Sequence, residues 1–180
     1  MEEILNPSDE SQEHRRLVLG GKGGIGKTQL AIAYADRHRH HYKSIFWLNA
    51  ASEAALKNSF RSIAMQVFDV QDSSVLEGEG ALIKINRWLS DRKNTQWLLI
   101  FDNYDEPGQF DITQYYPPAY HGQIIVTTRR PDLVAGIEVR IKPLENIDES
   151  LEILETRSQR KDAKTGKLLT TRVLSTDRCC

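Results

Sequence analysis

Residues 17–28 constrain this chain more than any other stretch. They read Leu-Val-Leu-Gly-Gly-Lys-Gly-Gly-Ile-Gly-Lys-Thr, a short apolar run passing into a turn dominated by glycine. Residues without a Cβ let a backbone take positive φ and bring its N–H groups close to an anion. From Gly21 to Thr28 the spacing is G-x-x-x-x-G-K-T, the Walker A phosphate-binding pattern. Gly21, Gly23, Gly24 and Gly26 supply the turn, and the run Gly21, Lys22, Gly23, Gly24, Ile25, Gly26, Lys27, Thr28 and Gln29 is the candidate nucleotide-contacting set. In this pattern Lys27 puts a cation on the β- and γ-phosphates and the Thr28 hydroxyl ligates Mg²⁺.

The flanking residues supply the context that the motif needs. Arg16 to Leu19 reads as a buried strand, and Lys27 onward as a helix whose N-terminus faces the phosphates. A chain of 180 residues suits one domain with a substantial core. A net charge of −1 makes no electrostatic case for nucleic acid or an anionic membrane. No apolar run approaches the roughly 20 residues of a membrane span, and the N-terminus has no signal-peptide core. Cys179 and Cys180, adjacent at the end, make neither a disulfide framework nor a zinc site. The expectation is a reduced, cytoplasmic protein.

Along the chain, residues 1–14 read as a polar, acidic, mobile arm. The first helix, with Leu30-Ala31-Ile32-Ala33-Tyr34-Ala35, is apolar nearly all round and predicts cover on more than one face. It ends in Asp36-Arg37-His38-Arg39-His40-His41, read as a solvated helix end whose cations complement the dipole rather than as metal ligands. Ser44–Asn49 is a second strand, and Ser52 an N-cap. The next helix carries Leu56, Phe60, Ile63, Ala64 and Val67 in one stripe. After a polar connection, Asp69 to Gly80, a helix over Ala81–Ser90 presents Leu82, Ile85, Trp88 and Leu89. Trp97–Asp102 is a continuous apolar strand ending in an acid, which indicates burial on both faces of a parallel sheet. A Tyr- and Pro-rich loop, Gln109 to Gly122, leads to a strand over Ile124–Arg129, a turn or short helix from Pro131, and an edge strand, Ile137–Ile141. Asn146 starts a last helix with Glu149 as capping-box partner, and from Arg157 the chain is polar. This alternation predicts an α/β P-loop NTPase fold, three-layer αβα, with a mainly parallel sheet of about five strands. Residues 15–156 form the predicted nucleotide-binding domain and 157–180 a polar tail.

In such sheets ligands bind outside the carboxyl ends of the strands. One strand ends in the Walker loop, another at Asp102, another at Thr127-Thr128-Arg129. Asp102 reads as the Walker B acid, holding Mg²⁺ through water opposite Thr28. The next residue is Asn103, which can orient an attacking water but cannot accept its proton. Asp105 and Glu106 are either alternatives for that task or turn residues before Pro107. Arg129 is either a γ-phosphate sensor that tells ATP from ADP or a surface arginine beside Arg130, with Thr127 and Thr128 as polar contacts. The candidate catalytic set is thus Lys27, Asp102, Asn103 and Arg129, and the metal set Thr28 and Asp102.

Gly-Gly-Lys-Gly-Gly-Ile-Gly-Lys-Thr-Gln-Leu-Ala (20–31), Ile-Phe-Trp-Leu-Asn-Ala (45–50), Trp-Leu-Leu-Ile-Phe-Asp-Asn (97–103) and Ile-Ile-Val-Thr-Thr-Arg-Arg (124–130) resemble, in this order, the NB-ARC family of STAND-type signalling ATPases. The second and third segments look most like its fungal members. The resemblance covers residues 16 to 156. It implies a switch that rests with ADP and is active, often oligomeric, with ATP, and it implies the roles given for Lys27, Thr28, Asp102 and Arg129. Members also carry an upstream hydrophobic-Gly-Arg segment, a helical domain with a Gly-Leu-Pro-Leu-like motif and a winged helix. None is found in this sequence, so the expectation is an isolated nucleotide-binding core, truncated or from a shortened gene. Its cofactors are ATP or ADP with Mg²⁺, hydrolysis is slow at best, and its partners are nucleotide and copies or proteins docking where the missing domains would sit. The alternatives are a non-catalytic interaction module and a P-loop kinase or motor-type ATPase. A kinase would carry an arginine-rich lid and an acceptor site, and neither is evident.

Overall fold

Five large apolar residues in a row, Trp97 to Phe101, cannot lie on a sheet that is wet on one side. A computed structural model, which describes residues 15–69 and 80–142, makes this run an inner strand of a parallel sheet. The strands are β1 (Arg15–Gly20), β2 (Ser44–Asn49), β3 (Trp97–Asp102), β4 (Gln123–Thr128) and β5 (Ile137–Arg140). The helices are α1 (Lys27–Arg37), α2 (Glu53–Phe68) and α3 (Gly80–Ser90). The sheet order is β2-β3-β4-β1-β5, and every neighbouring pair is parallel. This is the three-layer α/β P-loop fold.

Side chains alternate across a strand, so β3 feeds two cores. Trp97, Leu99 and Phe101 pack with Leu56, Phe60, Ile85 and Leu89 from α2 and α3. Leu98 and Ile100 face Ala31, Tyr34 and Ala35 of α1 on the other side. Each large apolar side chain so buried contributes about 1.5–3 kcal/mol before entropy is counted. Ser52 caps α2 as its sequence predicts, its Oγ accepting from the Ala55 N–H at 3.2 Å. The α2 stripe buries Leu56, Phe60, Ile63 and Ala64, with Val67 half-buried at its end. In α3 the buried line is Ala81, Ile85 and Leu89, with Leu82 and Trp88 packed at its margins.

Three expectations change. The strand after the Tyr-rich loop starts and stops one residue earlier, so Arg129 lies just beyond it. The apolar residues of helix α1 that are buried are Ala31, Tyr34 and Ala35, while Leu30 and Ile32 are 38% and 36% exposed. Its small residues let it sit close to the sheet on one side, and among the described residues nothing covers the other. At its end His38 turns inward instead of into solvent: it is buried, its Nδ1 lies 2.9 Å from the Tyr34 carbonyl oxygen, and its ring stacks on Tyr34. His40 and His41 are exposed, and no group of His, Cys, Asp or Glu able to hold a metal occurs among the described residues. No helix there is long and apolar enough to cross a membrane. The N-terminal arm, most of the Asp69–Gly80 connection, the helix from Asn146, the polar tail and the boundary at 156 lie outside the described residues.

Candidate functional site

Strand β4 stands between β1 and β3, so the three polar strand ends are neighbours at one edge of the sheet. Gly20 of β1 is level with Thr128 of β4, and Phe101 of β3 with Val126. Beyond Gly20 the loop turns through positive φ at Gly24 (76°) and Gly26 (96°), conformations that a Cβ would disfavour. Gly26 is the N-cap of α1, and no side chain caps this helix end. The first helical bond runs from the Leu30 N–H to the Gly26 carbonyl at 2.9 Å. The earlier first-turn N–H groups have no partner within the helix and lie at its positive end, an arrangement suited to phosphate. Lys27 is 8% exposed and folds over the loop, its ammonium donating to the Gly21 and Lys22 carbonyls at 2.8 and 3.0 Å.

Opposite Lys27 stands a buried group of oxygens. Oδ1 of Asp102 accepts from the Thr28 hydroxyl at 2.9 Å and from the Thr127 hydroxyl at 2.6 Å. The Thr127 oxygen in turn accepts from the Asn103 N–H at 2.9 Å. Thr127 is fully buried, so it serves Asp102 from behind. Thr128 is also buried and accepts from the Arg130 N–H, closing the strand end. Neither threonine lines the cavity.

After β3 the chain turns at Asn103, which has φ 66°, a left-handed value that asparagine tolerates better than most residues. The Tyr104 N–H then donates to the Thr127 carbonyl at 3.0 Å, which sets Asp105 against Arg129. Asp105 Oδ1 accepts the Arg129 backbone N–H and Oδ2 accepts its Nε, both at 2.8 Å. The guanidinium lies over the loop, and a Cβ on Gly23 would come within 3.3 Å of its Cζ. Glu106 pairs with Gln109 outside the site.

These groups enclose a cavity of about 250 Å³. Gly23, Gly24, Gly26, Lys27, Thr28 and Gln29 line it from the loop and α1, and Asn103, Asp105 and Arg129 from beyond the ends of β3 and β4. Gly21, Lys22 and Ile25 belong to the loop without lining the cavity, and Asp102 reaches it through Thr28. A larger hollow of about 590 Å³ runs along α3 past Ile83, Arg87 and Pro118 and shares no lining residue with this cavity. Sequence reasoning missed two partnerships, Thr127 with Asp102 and Asp105 with Arg129. Both depend on β4 lying beside β3, which no motif spacing encodes.

A glycine loop at a helix N-terminus, a buried lysine and a Thr–Asp pair on a parallel sheet define a P-loop nucleotide-binding domain. A family model of the NB-ARC domain matches residues 1–164, and the chain belongs to that family. It is similar to a nucleotide-binding leucine-rich repeat (NLR)-like protein of Hyaloscypha variabilis, 28% identical over 173 residues, covering 84% of this chain and 17% of that protein. It is also similar to the probable disease resistance RPP8-like protein 4 of Arabidopsis thaliana, 23% identical over 147 residues, covering 79% and 15%. The chain therefore spans about a sixth of the length of the curated relatives it matches. Its fold resembles that of Cdc6p from Pyrobaculum aerophilum, with a TM-score of 0.54 at 14% identity over 88% of this chain and 53% of that one. The chain is a nucleotide-binding module of the NB-ARC type.

Proposed function

We propose that the chain is the ATP- and ADP-binding core of a cytoplasmic STAND-type signalling switch, formed by residues 15–156, with slow Mg²⁺-dependent hydrolysis at best. The observation that carries this is the meeting of Lys27, the Thr28–Asp102 pair and Arg129 around one cavity. Lys27 and the loop N–H groups take the β- and γ-phosphates. The planar guanidinium of Arg129 takes oxygens of the third phosphate, so ATP and ADP bind differently. The Thr28 hydroxyl and the Asp102 carboxylate are hard oxygen donors that fit Mg²⁺, which when bound supplies charge neutralisation at the phosphate oxygens.

Asn103 orients a water by hydrogen bonding but has no basic oxygen to take its proton, so turnover is slow. The same residue favours a second reading, an interaction module that binds nucleotide without turnover.

The test is a calorimetric titration of ATP, ADP and GTP with and without Mg²⁺. Saturable binding is expected for the adenine nucleotides, tighter with Mg²⁺, together with a rise in Tm that Lys27→Ala removes, because a ligand of the folded state stabilises it. Absence of binding at millimolar nucleotide overturns the reading. Phosphate release over hours then separates the slow ATPase from the module without turnover.

A further inference from the structure

We propose that Asp105 is the positioning residue for Arg129, fixing its guanidinium over the phosphate loop so that the site distinguishes a triphosphate from a diphosphate. This rests on the nucleotide reading above. The Arg129 side chain is 62% exposed, and an arginine this open ordinarily samples many rotamers. A group that must be ordered at the moment of binding contributes less than one already in place. Here the two oxygens of one carboxylate hold the residue at two points. Oδ1 takes the backbone N–H and Oδ2 takes Nε, each at 2.8 Å. Cζ and Nη2 then lie 3.3 and 3.4 Å from the position of a Cβ on Gly23, which places the plane of the guanidinium on the loop. Nε is taken by Asp105, which leaves the terminal Nη groups of this cavity-lining residue as the donors for phosphate oxygens.

Asp105 is itself fixed. Its side chain is only 23% exposed, and its N–H donates to the Asn103 carbonyl at 2.9 Å, inside the turn that Tyr104 ties to Thr127. The positioning thus starts from β4 and returns to the residue immediately after it. The opposite role, in which the carboxylate withholds the guanidinium from phosphate, uses the same contacts and predicts the opposite sign.

The experiment titrates wild type, Asp105→Ala, Asp105→Asn, Arg129→Ala and the double alanine variant with ADP and with a non-hydrolysable ATP analogue in Mg²⁺. Each protein is also melted without nucleotide. Asp105→Ala is expected to lower the preference for the triphosphate over ADP by about three- to tenfold. Asp105→Asn, which keeps one acceptor oxygen, should restore part of that preference. In the Arg129→Ala background Asp105→Ala should change it no further. An unchanged or raised preference in Asp105→Ala overturns the proposal, as does an equal drop in the Arg129→Ala background. So does a lower Tm with the preference intact, which is the mark of a purely structural residue. If wild type binds neither nucleotide, the nucleotide reading falls and this proposal with it. If wild type binds both and Lys27→Ala binds neither, a null result for Asp105 overturns the positioning role alone.

Discussion

The cavity has two unlike walls, each backed by a carboxylate, one at the end of β3 and the other in the turn that follows it. On one side Asp102 is 8% exposed and bonded to two threonine hydroxyls, one of them fully buried. On the other, Asp105 meets an arginine that is 62% exposed. Hydrogen bonds to a carboxylate are stronger where water is excluded and costly to leave unmade there, so the first wall is a fixture of the fold. The second is held by a surface ion pair, whose contribution to stability is small. A site built this way has the Thr28–Asp102 oxygens held by burial and its cation held by the Asp105 carboxylate. Both walls share the floor made by Lys27 and the glycine loop.

The largest effect should come from that floor. Lys27→Ala removes a charge-assisted donor and is expected to weaken every nucleotide by about 10–100-fold, read by calorimetry. Equal loss for ATP and ADP would show that the lysine serves both walls alike; loss confined to ATP would show that it acts with the Arg129 wall alone. The buried wall comes next. Thr127→Val removes the donor to Asp102 and leaves the Asn103 N–H without its partner, at a cost of about 1–3 kcal/mol. Thermal unfolding should show it, at about 2–4 °C per kcal/mol for a chain of this size. The exposed wall should behave in reverse. Arg129→Ala should change stability by less than about 0.5 kcal/mol. It should weaken the ATP analogue by up to about tenfold while leaving ADP nearly unchanged.

Much of the fold was legible because its signals are local. The apolar runs Ser44–Asn49 and Trp97–Asp102 coincide with β2 and β3, and Ser52 marks the start of α2. The glycine pattern, read with the strand before it and the helix after it, marked the turn between β1 and α1. What could not be read is what depends on neighbours. Thr127 and Asp105 acquire their partners because β4 pairs with β3, and sheet order leaves no trace in periodicity. His38 looked like one more cation in a polar helix end, yet helix geometry carries it back onto Tyr34, four residues earlier. Helix α1 looked apolar all round, but a sequence counts apolar residues without saying which of them find a partner.

A residue away from both walls should move neither. Tyr115 lies in the 3-10 turn Ile112–Tyr115, packs on Phe60, and donates from its hydroxyl to Glu53 Oε1 at 2.7 Å. Burial first, and then the hydrogen bond to the Glu53 carboxylate, push its phenol up to about 12 from an ordinary 10.0. A group whose folded pKa is raised contributes stability in full below its unfolded pKa and loses it as pH rises through the folded one. Wild type should therefore lose stability between pH 10 and about 12 in part through Tyr115. Tyr115→Phe should start lower at neutral pH, by about 0.5–1 kcal/mol for the missing hydrogen bond, and fall less steeply across that window. Chemical denaturation at several pH values measures both, with the difference between the two proteins cancelling the other tyrosines. Nucleotide affinity at neutral pH should be the same in the two proteins. A change there would mean that packing between α2 and the Tyr-rich loop reaches the strand ends, and the two walls would then be one mechanical unit.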